Sequence, residues 1–491
     1  MKKNIKVILW AILIVSFFLR VYNFKSYYIF SHDQDLASWI IKDIVVNGHQ
    51  RLIGQETSSQ GVFIGSLFYY MQIPFYWMSG MNPLGAVFLS IILGVFATYS
   101  IFYVLSKINN EKVGLIGAFI YAVSALIVFT DREVAPTMPV VLWTVWYLYS
   151  LFLVYQNKYM KGFMLWGLLI GLVWHLNLAL IILAPLLLIA FLFSKRKIDI
   201  KAIVVGLVVL FVTSSPFILF EIRHNFSQTK SVILSLTTDK DLRVTNTKGY
   251  AKFDRVMQIV NKNSIGIFSK SNFIRPSIVT FGLLLLLIYF IKSKKINGFF
   301  GLTYLMWIFL YLFFFTLNSL NVSEYYFNGM NIIWIIVSSV AASQLLERRN
   351  GKIIFYILGV LFVITNFNFI FNFNTDKKGY VEKMNLVKFI NENRKEQGYP
   401  CISISYITKP GYELGYRQLF WLNDMHVNNP SSNSPVYTIV YPHSLVDKID
   451  VSFGSLGLIY PDFKRYNKNE VEESCKGDNS NLTDPMFGYV E

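Results

Sequence analysis

Long apolar runs recur along this sequence, and they constrain the fold more than any other feature. A helix that crosses about 30 Å of hydrocarbon needs roughly 20 apolar residues. Runs of about that length occur near residues 5–23, 83–106, 113–130, 137–156, 201–220, 275–291, 298–317, 326–345 and 352–372. Each run predicts one membrane-spanning helix. No small-x-small cleavage motif follows the first run, which therefore predicts an uncleaved span.

Two further apolar segments are harder to assign. The segment 162–193 is too long for one crossing and has basic residues on both flanks. We therefore predict that it crosses twice, with a turn at His175 and Asn177. The segment 62–80 carries Pro74 in its middle, and we predict an interfacial helix there.

The basic residues of the loops predict the orientation. If 62–80 lies on the outer surface, every basic cluster falls on one side: Lys107 with Lys112, Lys158 with Lys161, Lys195 to Lys201, Lys292 to Lys295, and Arg348 to Lys352. Cytoplasmic loops carry an excess of Lys and Arg, so that side is inside. The sequence predicts a mainly α bundle of about eleven spans in the plasma (inner) membrane, with the N-terminus inside. The net charge of +16 then reports orientation, and no nucleic-acid partner is expected.

Ionisable residues are rare, and their positions suggest a site. Only 15% of the residues are charged, against about 25% in soluble proteins. Within the spans we expect almost none besides His175, which argues against a transporter because transporters keep charged groups near the midplane. Charged residues instead gather at the predicted outer ends: Asp33, Asp35, Asp131, Arg132, Glu133, Glu221, Arg223, His224 and Glu324. A site at the lipid–water boundary could meet a lipid-borne donor and an aqueous acceptor.

The chemistry of these residues suggests roles. Asp33 or Asp35 could act as a general base on an acceptor hydroxyl. Arg132 and Arg223, with His224, could hold a donor phosphate. For each there is a plainer alternative, namely a solvated loop acid or a cation that anchors a span end. Further site candidates are Asp131, His175, Glu324 and Tyr325.

Several motifs resemble one class of membrane enzymes. The motif His32-Asp33-Gln34-Asp35 after the first span resembles the acidic motif of GT-C class glycosyltransferases. The stretches 52–58, 61–83 and 171–185, and the segment from Pro216 to His224, resemble bacterial family 39 members. These are relatives of protein O-mannosyltransferases and of the lipid A aminoarabinose transferase. The similarity covers roughly residues 5 to 375.

This resemblance implies a function. Family members take a sugar from a polyprenyl-phosphate carrier on the outer face of the membrane and invert its anomeric centre. Asp33 would be the catalytic base, the partners would be a polyprenyl-phosphate-linked sugar and membrane lipids, and the acceptor could be a protein, a lipid or a glycan. Gln34 stands where many relatives have Glu, and Asp131 replaces a small polar residue. The second acidic role therefore stays open between Asp35, Asp131 and no residue. No cofactor is certain, and a divalent metal is one candidate.

Two other functions compete with this reading. A lipid-linked-sugar transporter would need charges along a central cavity. An outer-face polysaccharide polymerase or ligase would place its critical residues in a large outer loop, and the loop 221–274 contains Arg223 and His224.

The C-terminal region has a different character. We divide the chain into a transmembrane GT-C-like catalytic domain, 1–375, and a small extracytoplasmic α/β domain, 376–491. A helix is predicted at 380–394, and strands at 401–407 and 436–441. An oxidising compartment would allow Cys401 and Cys475 to form a disulfide.

Overall fold

The computed structural model describes residues 3–57, 60–194, 199–237, 250–270, 275–318, 322–429, 431–477, 479 and 481. The basic residues 195–197, which belong to one of the predicted cytoplasmic clusters, lie outside these ranges. The described chain is mainly helical.

The α-helices are α1 (Lys3–Val21), α2 (Phe24–Tyr27), α3 (His32–Val46), α4 (Leu67–Met78), α5 (Gly85–Ile108), α6 (Glu111–Val123), α7 (Ala125–Arg132), α8 (Val140–Tyr155), α9 (Tyr159–Leu176), α10 (Leu186–Leu192), α11 (Ile200–Thr213), α12 (Ser215–Arg223), α13 (Ser227–Thr237), α14 (Tyr250–Gly266), α15 (Pro276–Lys292), α16 (Gly298–Leu317), α17 (Asn331–Glu347), α18 (Arg349–Phe371), α19 (Tyr380–Glu396), α20 (Arg417–Leu422) and α21 (Lys468–Ser474). Short 3-10 helices cover Leu178–Leu183, Glu324–Met330, His443–Leu445 and Phe463–Arg465. The strands are β1 (Ile53–Glu56), β2 (Phe63–Gly65), β3 (Cys401–Thr408), β4 (His426–Asn428), β5 (Val436–Tyr441), β6 (Val451–Phe453) and β7 (Leu456–Ile459).

Six described helical segments are long and apolar enough to cross a membrane, or eight if each of two bent pairs forms one span. The pair α6 and α7 bends by 64°, and the pair α11 and α12 by 61°. At the first bend the Asn366 side chain accepts a hydrogen bond from the Ala125 N–H. At the second, a proline stands in the first turn of α12. The protein is a multi-pass helical membrane protein, while helix length alone does not establish the expected eleven spans.

The two ambiguous apolar segments both break into shorter elements. The segment 62–80 contains β2 and α4, and α4 has 12 residues. At about 1.5 Å per residue, α4 is roughly 18 Å long, too short to cross the hydrocarbon. The segment 162–193 breaks at Asn177, whose side chain accepts a hydrogen bond from the Ala179 N–H and starts the 3-10 helix. A polar cap residue here ends one helix and begins the next.

The bundle has an aromatic-rich core and an apolar outer surface. Trp143, Trp307 and Trp334 are among its largest fully buried side chains. On α18, many large apolar side chains are more than half exposed, including Ile353 and Ile364. Such a surface is stable in contact with lipid tails rather than water.

The C-terminal region folds around a five-stranded sheet of order β4-β3-β5-β7-β6. Strands β4, β3 and β5 run parallel, while β7 is antiparallel to both β5 and β6. The predicted helix and the two predicted strands are present as α19, β3 and β5. A disulfide joins Cys401 to Cys475. The division of the chain at residue 376 stays a prediction.

Candidate active site

Helix α3 carries the acidic motif and begins where the chain leaves the first span. Ser31 is its N-cap, and the Ser31 N–H and hydroxyl both donate to the Gln34 side-chain oxygen, at 3.1 and 2.6 Å. This capping box fixes the start of the helix. Asp33 lies in its first turn, where the positive end of the helix dipole favours a carboxylate. The Asp33 side chain is exposed.

The structure does not bring Asp33 and Asp35 together. Two residues along a helix are separated by about 200° around its axis, so the two carboxylates point to opposite faces. Asp35 is 4% exposed and accepts hydrogen bonds from the Arg417 and Gln418 N–H groups, at 3.0 and 2.9 Å. Those two N–H groups belong to the first turn of α20. Asp35 therefore docks the C-terminal region onto α3, and its expected role as a second catalytic acid stays a prediction.

A buried lysine lies close to this contact. The Lys383 ammonium donates to the Leu414 and Gly415 carbonyl oxygens, at 3.0 and 3.2 Å, and lies 4.4 Å from the centre of the Tyr416 ring. Burial lowers the pKa of Lys383 to about 8, and the charge of Asp35 opposes this shift. Burial likewise raises the pKa of Asp35, against the two N–H donors and Lys383.

The acidic group that faces Asp33 is Glu133, which follows α7. Glu133 is solvent-accessible, yet the surrounding protein and the charge of Asp33 raise the pKa of its carboxyl. The Gln34 amide donates to the Val134 carbonyl oxygen at 3.1 Å and holds this loop beside α3. The sequence placed Glu133 among the outer-end acids but gave no sign that it, rather than Asp131, faces Asp33.

Tyr69 closes another side of this region. Its hydroxyl accepts a hydrogen bond from the Gln55 N–H at 3.0 Å. Burial raises the pKa of Tyr69, and the charge of Asp33 adds to the shift. A Cβ at Gly54 would lie 2.1 Å from the Tyr69 ring, so β1 approaches the tyrosine only because this residue is glycine.

Asp131 is engaged in a buried ion pair that the sequence analysis missed. The Arg20 guanidinium donates to one oxygen of Asp131 at 2.6 and 2.9 Å, and the Tyr121 hydroxyl donates to the other at 2.9 Å. Arg20 also donates to the Ser16 hydroxyl at 2.8 Å. The expectation that the spans hold almost no ionisable residue besides His175 is therefore wrong, because Arg20 lies within α1. The pair joins α1 to α7 and so fixes the helix end that precedes Glu133.

Arg132 caps the first span. Its guanidinium donates to the Leu19 carbonyl oxygen and, at 2.8 Å, to that of Tyr22. It also lies 4.9 Å from the centre of the Tyr27 ring and 5.3 Å from that of Phe129. These contacts hold the last carbonyls of α1. The Arg132 Nε and Nη1 atoms are buried without a partner among the described residues, and its expected role as a phosphate ligand stays a prediction.

The end of α12 lies in contact with β1, the first strand of the hairpin of β1 and β2. Arg223 is exposed. The His224 ring stacks on Phe220 with centroids 4.0 Å apart, and its Nδ1 lies 2.9 Å from the Phe220 carbonyl oxygen. Glu221 accepts hydrogen bonds from the N–H groups of Gln228 and Thr229, at 3.0 and 2.9 Å, at the start of α13.

His175 ties three elements together. Its Nδ1 accepts from the Leu67 N–H at 3.3 Å, and its Nε2 lies 3.1 Å from the Thr213 carbonyl oxygen. The tautomer with its proton on Nε2 satisfies both contacts. A Cβ at Gly65 would lie 2.1 Å from Nδ1, so glycine lets the hairpin pass the ring. His175 thus positions the hairpin as a polar residue at a helix end.

Charged residues lie near the last two site candidates, Glu324 and Tyr325. The Lys262 ammonium lies 2.8 Å from a Glu324 oxygen. The Tyr325 ring lies 4.5 Å from that of Tyr326. Lys270 is solvent-accessible. The surrounding protein and the charge of the neighbouring Lys262 lower the pKa of its ammonium, and the charge of Glu324 partly offsets this shift. The sequence analysis missed both lysines because neither adjoins an apolar run that we assigned.

A groove among the spans leads toward Lys270. It has a volume of about 1090 Å³, lies between α1, α6, the end of α14, α15, α17 and α18, and is lined mostly by apolar side chains. Phe268 and Ser269 line it, and Lys270 follows them directly in the chain. An apolar groove whose lining ends at Ser269, next to Lys270 in the chain, matches an amphiphile with a hydrocarbon tail and an anionic head.

No three His, Cys, Asp or Glu side chains come together as metal ligands in the described part of the chain. Asp33 and Glu133 are one pair of acids, which does not make a protein cage for a metal.

Comparisons with known proteins agree with this architecture. Residues 66–220 match the family described as dolichyl-phosphate-mannose-protein mannosyltransferase. A search of curated proteins gives no match. Among solved structures, ArnT from Cupriavidus metallidurans bound to undecaprenyl phosphate is similar, with a TM-score of 0.62 at 9% identity, over 95% of this chain and 100% of ArnT. The Archaeoglobus fulgidus oligosaccharyltransferase in complex with Zn and sulfate has a TM-score of 0.53 at 14% identity, over 88% of this chain and 67% of that protein.

At such identities the solved structures show a shared fold, and the family match covers about a third of the chain. The fold extends over nearly the whole length of ArnT and includes the C-terminal sheet region in its coverage. Residues 66–220 are thus similar to this mannosyltransferase family, and the chain as a whole shares the fold of ArnT and of the oligosaccharyltransferase.

Proposed function

We propose that the protein transfers a sugar from a polyprenyl-phosphate carrier to an acceptor hydroxyl on the outer face of the membrane, with inversion of the anomeric centre. The observation that carries this proposal is the apolar groove of about 1090 Å³ that reaches Ser269, next to Lys270. A nucleotide-sugar donor would have no use for such a groove, whereas a prenyl chain needs one.

In the proposed reaction Asp33 is the general base. Its exposed carboxylate takes the proton of the acceptor hydroxyl as the acceptor oxygen attacks the anomeric carbon. The bond from that carbon to the carrier phosphate breaks on the opposite face, and the polyprenyl phosphate leaves with the electron pair. A phosphate leaves without a general acid, so the site needs positive charge on that side rather than a proton donor.

Lys270 and Lys262 are our candidates for this positive charge. Two ammonium groups close enough to lower the pKa of one of them repel each other, and a bound phosphate would relieve the repulsion. Glu324 holds Lys262 in place at 2.8 Å. Arg223 remains a candidate because it is exposed at the end of α12. Glu133 would act through its charge on Asp33. A divalent metal between these two acids stays a candidate, and the proposed reaction does not require it.

The orientation and the span count are also part of the proposal. Six long spans, two bent pairs and the three shorter apolar helical segments Val140–Tyr155, Leu178–Leu192 and Pro276–Lys292 would together give the eleven crossings expected from the sequence. The basic loops then lie in the cytoplasm, and α3, Glu133 and the disulfide-bonded C-terminal region lie outside. The acceptor, whether protein, lipid or glycan, would approach from the aqueous side.

A pair of substitutions on α15 tests the carrier. Leu286 lines the groove, whereas its neighbour Leu285 is 51% exposed on the same helix and does not line it. We expect Leu286→Trp to raise KM about tenfold for a long polyprenyl-phosphate sugar, because the indole occupies the path of the tail. A short-chain analogue should be affected far less.

The control is Leu285→Trp, which should leave KM unchanged. Transfer of radiolabelled sugar in membranes, from a panel of polyprenyl-phosphate donors, measures both. Equal effects of the two substitutions, or equal loss with long and short carriers, would contradict the placement of the tail. No transfer by the wild type from any donor would contradict the proposed reaction itself.

A further inference from the structure

A polar niche lies at the end of the bundle away from Asp33. Helix α5 has 24 residues and is therefore about 36 Å long. It begins near Asn82, whose side chain accepts from the Tyr380 hydroxyl at 2.8 Å beside the C-terminal region. It ends at Ile108, where a cavity of about 640 Å³ opens between the end of α5, the end of α15 and the start of α16.

The niche presents cations that nothing in the described chain neutralises. Lys294 and Lys295 line it, and neither ammonium has a hydrogen bond or ion pair with a described residue. Lys294 has a φ of 57°, in the left-handed region that normally favours glycine or asparagine after a helix. Lys294 therefore occupies a backbone conformation that glycine or asparagine would adopt with less strain.

Two helix starts reinforce the positive potential. Asn110 precedes α6, and its side chain accepts from the Val113 N–H at 3.0 Å. Asn297 precedes α16, and its side chain accepts from the Phe299 N–H at 2.9 Å. Both asparagines line the cavity together with Gly298. The positive ends of these two helix dipoles therefore add to the lysine charges.

A buried hydrogen-bond acceptor in the same niche lacks a donor among the described residues. The Asn109 side-chain oxygen is buried and has no hydrogen-bond partner among the described residues. Asn109 lines the cavity. The niche therefore offers cations to an anion, and an acceptor to a hydroxyl group, along one lining. Leaving such an oxygen buried without a donor costs about 1–3 kcal/mol.

We propose that this niche binds the headgroup of an anionic phospholipid, with the phosphate at Lys294 and Lys295 and a headgroup hydroxyl at Asn109. Its position at the end of three predicted spans puts it at headgroup depth in the leaflet opposite the candidate active site. Basic pockets between helices at that depth attract anionic headgroups. The inference is independent of the proposed sugar transfer.

Native mass spectrometry of the detergent-purified protein tests this proposal. We expect phosphatidylglycerol to bind at least about tenfold more tightly than phosphatidylcholine with the same acyl chains. The double substitution Lys294→Ala/Lys295→Ala should remove that preference. Lys158→Ala/Lys161→Ala removes two lysines from another basic loop that does not line the cavity, and it should leave the preference intact.

Further arms separate the sources of the phosphate and the role of the amide. Inorganic phosphate at the same concentration should not displace phosphatidylglycerol. Asn109→Leu should weaken the binding of phosphatidylglycerol about fivefold. It should not weaken the binding of phosphatidic acid, which has no headgroup hydroxyl beyond its phosphate. Equal binding of phosphatidylcholine, or equal loss in both lysine double variants, would overturn the proposal. Displacement by inorganic phosphate would overturn the lipid assignment.

Discussion

At the residue scale, the site depends on which face of a helix each acid occupies. The sequence placed Asp33 and Asp35 in one motif, and their spacing of two residues sends them to opposite faces of α3. Asp33 stays exposed near Glu133, while Asp35 is buried against the first turn of α20. The exposed acid could be expected from the motif. Its partner could not, because Glu133 is 100 positions away and nothing local indicates the approach of α7.

Glu133 gives a prediction for the pH dependence. Burial and the charge of Asp33 raise the pKa of the Glu133 carboxyl. Because like charges repel, Glu133→Gln removes this repulsion and should let sugar transfer persist to lower pH. We expect the acid limb of the kcat/KM profile for sugar transfer to move down by up to about one pH unit. Profiles between pH 4 and 8 measure this, and Glu133→Asp serves as the charge-preserving control. A shift of the limb to higher pH would show that Glu133 does not act on the base in this way.

At the element scale, buried polar contacts join segments that sequence patterns treat separately. The apolar run 113–130 predicts one span, and the structure bends it between α6 and α7. The bend is held by partners far along the chain, Asn366 at its start and Arg20 at its end. Hydrophobic periodicity could predict the two helices but not the bend, since it arises from a tertiary hydrogen bond and an ion pair.

The ion pair of Arg20 and Asp131 gives a stability prediction. Removing one partner leaves an uncompensated buried charge, so Arg20→Met should lower the free energy of unfolding by about 3–5 kcal/mol. The double variant Arg20→Met/Asp131→Leu should recover most of that loss. Thermal unfolding in detergent compares the three proteins. A double variant as unstable as Arg20→Met would mean that the pair contributes through something other than charge compensation.

The buried Lys383 gives a second stability prediction. Its pKa of about 8 in the folded protein lies below the ordinary value near 10.4, so between these pH values the unfolded chain binds more protons. The contribution of Lys383 to the free energy of unfolding therefore rises with pH. Relative to Lys383→Met, wild type should gain about 2 kcal/mol between pH 7.5 and 9.5. Parallel unfolding curves of the two proteins across that range would contradict the assigned burial.

At the scale of the whole molecule, the C-terminal sheet region is attached to the start of α3. Asp35 binds α20, and the Tyr380 N–H donates to the Tyr28 carbonyl oxygen at 3.1 Å. The Gln418 amide also donates to the Met81 carbonyl oxygen at 3.1 Å. The sequence could predict this region as a separate α/β unit from its composition. It could not predict the docking, because the contacting residues carry no pattern that distinguishes them from ordinary surface residues.

The distribution of charge and apolar surface is also a property of the whole molecule. The apolar runs were enough to predict a multi-pass helical bundle, while the orientation that the basic loops indicate stays a prediction. They could not predict the groove, since its lining residues come from six separate helices and most of them are ordinary apolar residues. The contrast explains why the helical membrane-spanning class was predictable from the sequence while the groove was not.

The central claim is that Asp33, and not Asp35, is the base of a sugar transfer from a lipid carrier. The most direct test compares wild type, Asp33→Asn and Asp35→Asn in membranes supplied with radiolabelled polyprenyl-phosphate sugars. We expect Asp33→Asn to lose at least about 100-fold in kcat with normal membrane insertion. Asp35→Asn should keep a substantial kcat and lose thermal stability instead, because it weakens the docking of α20. Transfer by Asp33→Asn at the wild-type rate, from any donor that the wild type uses, would contradict this account.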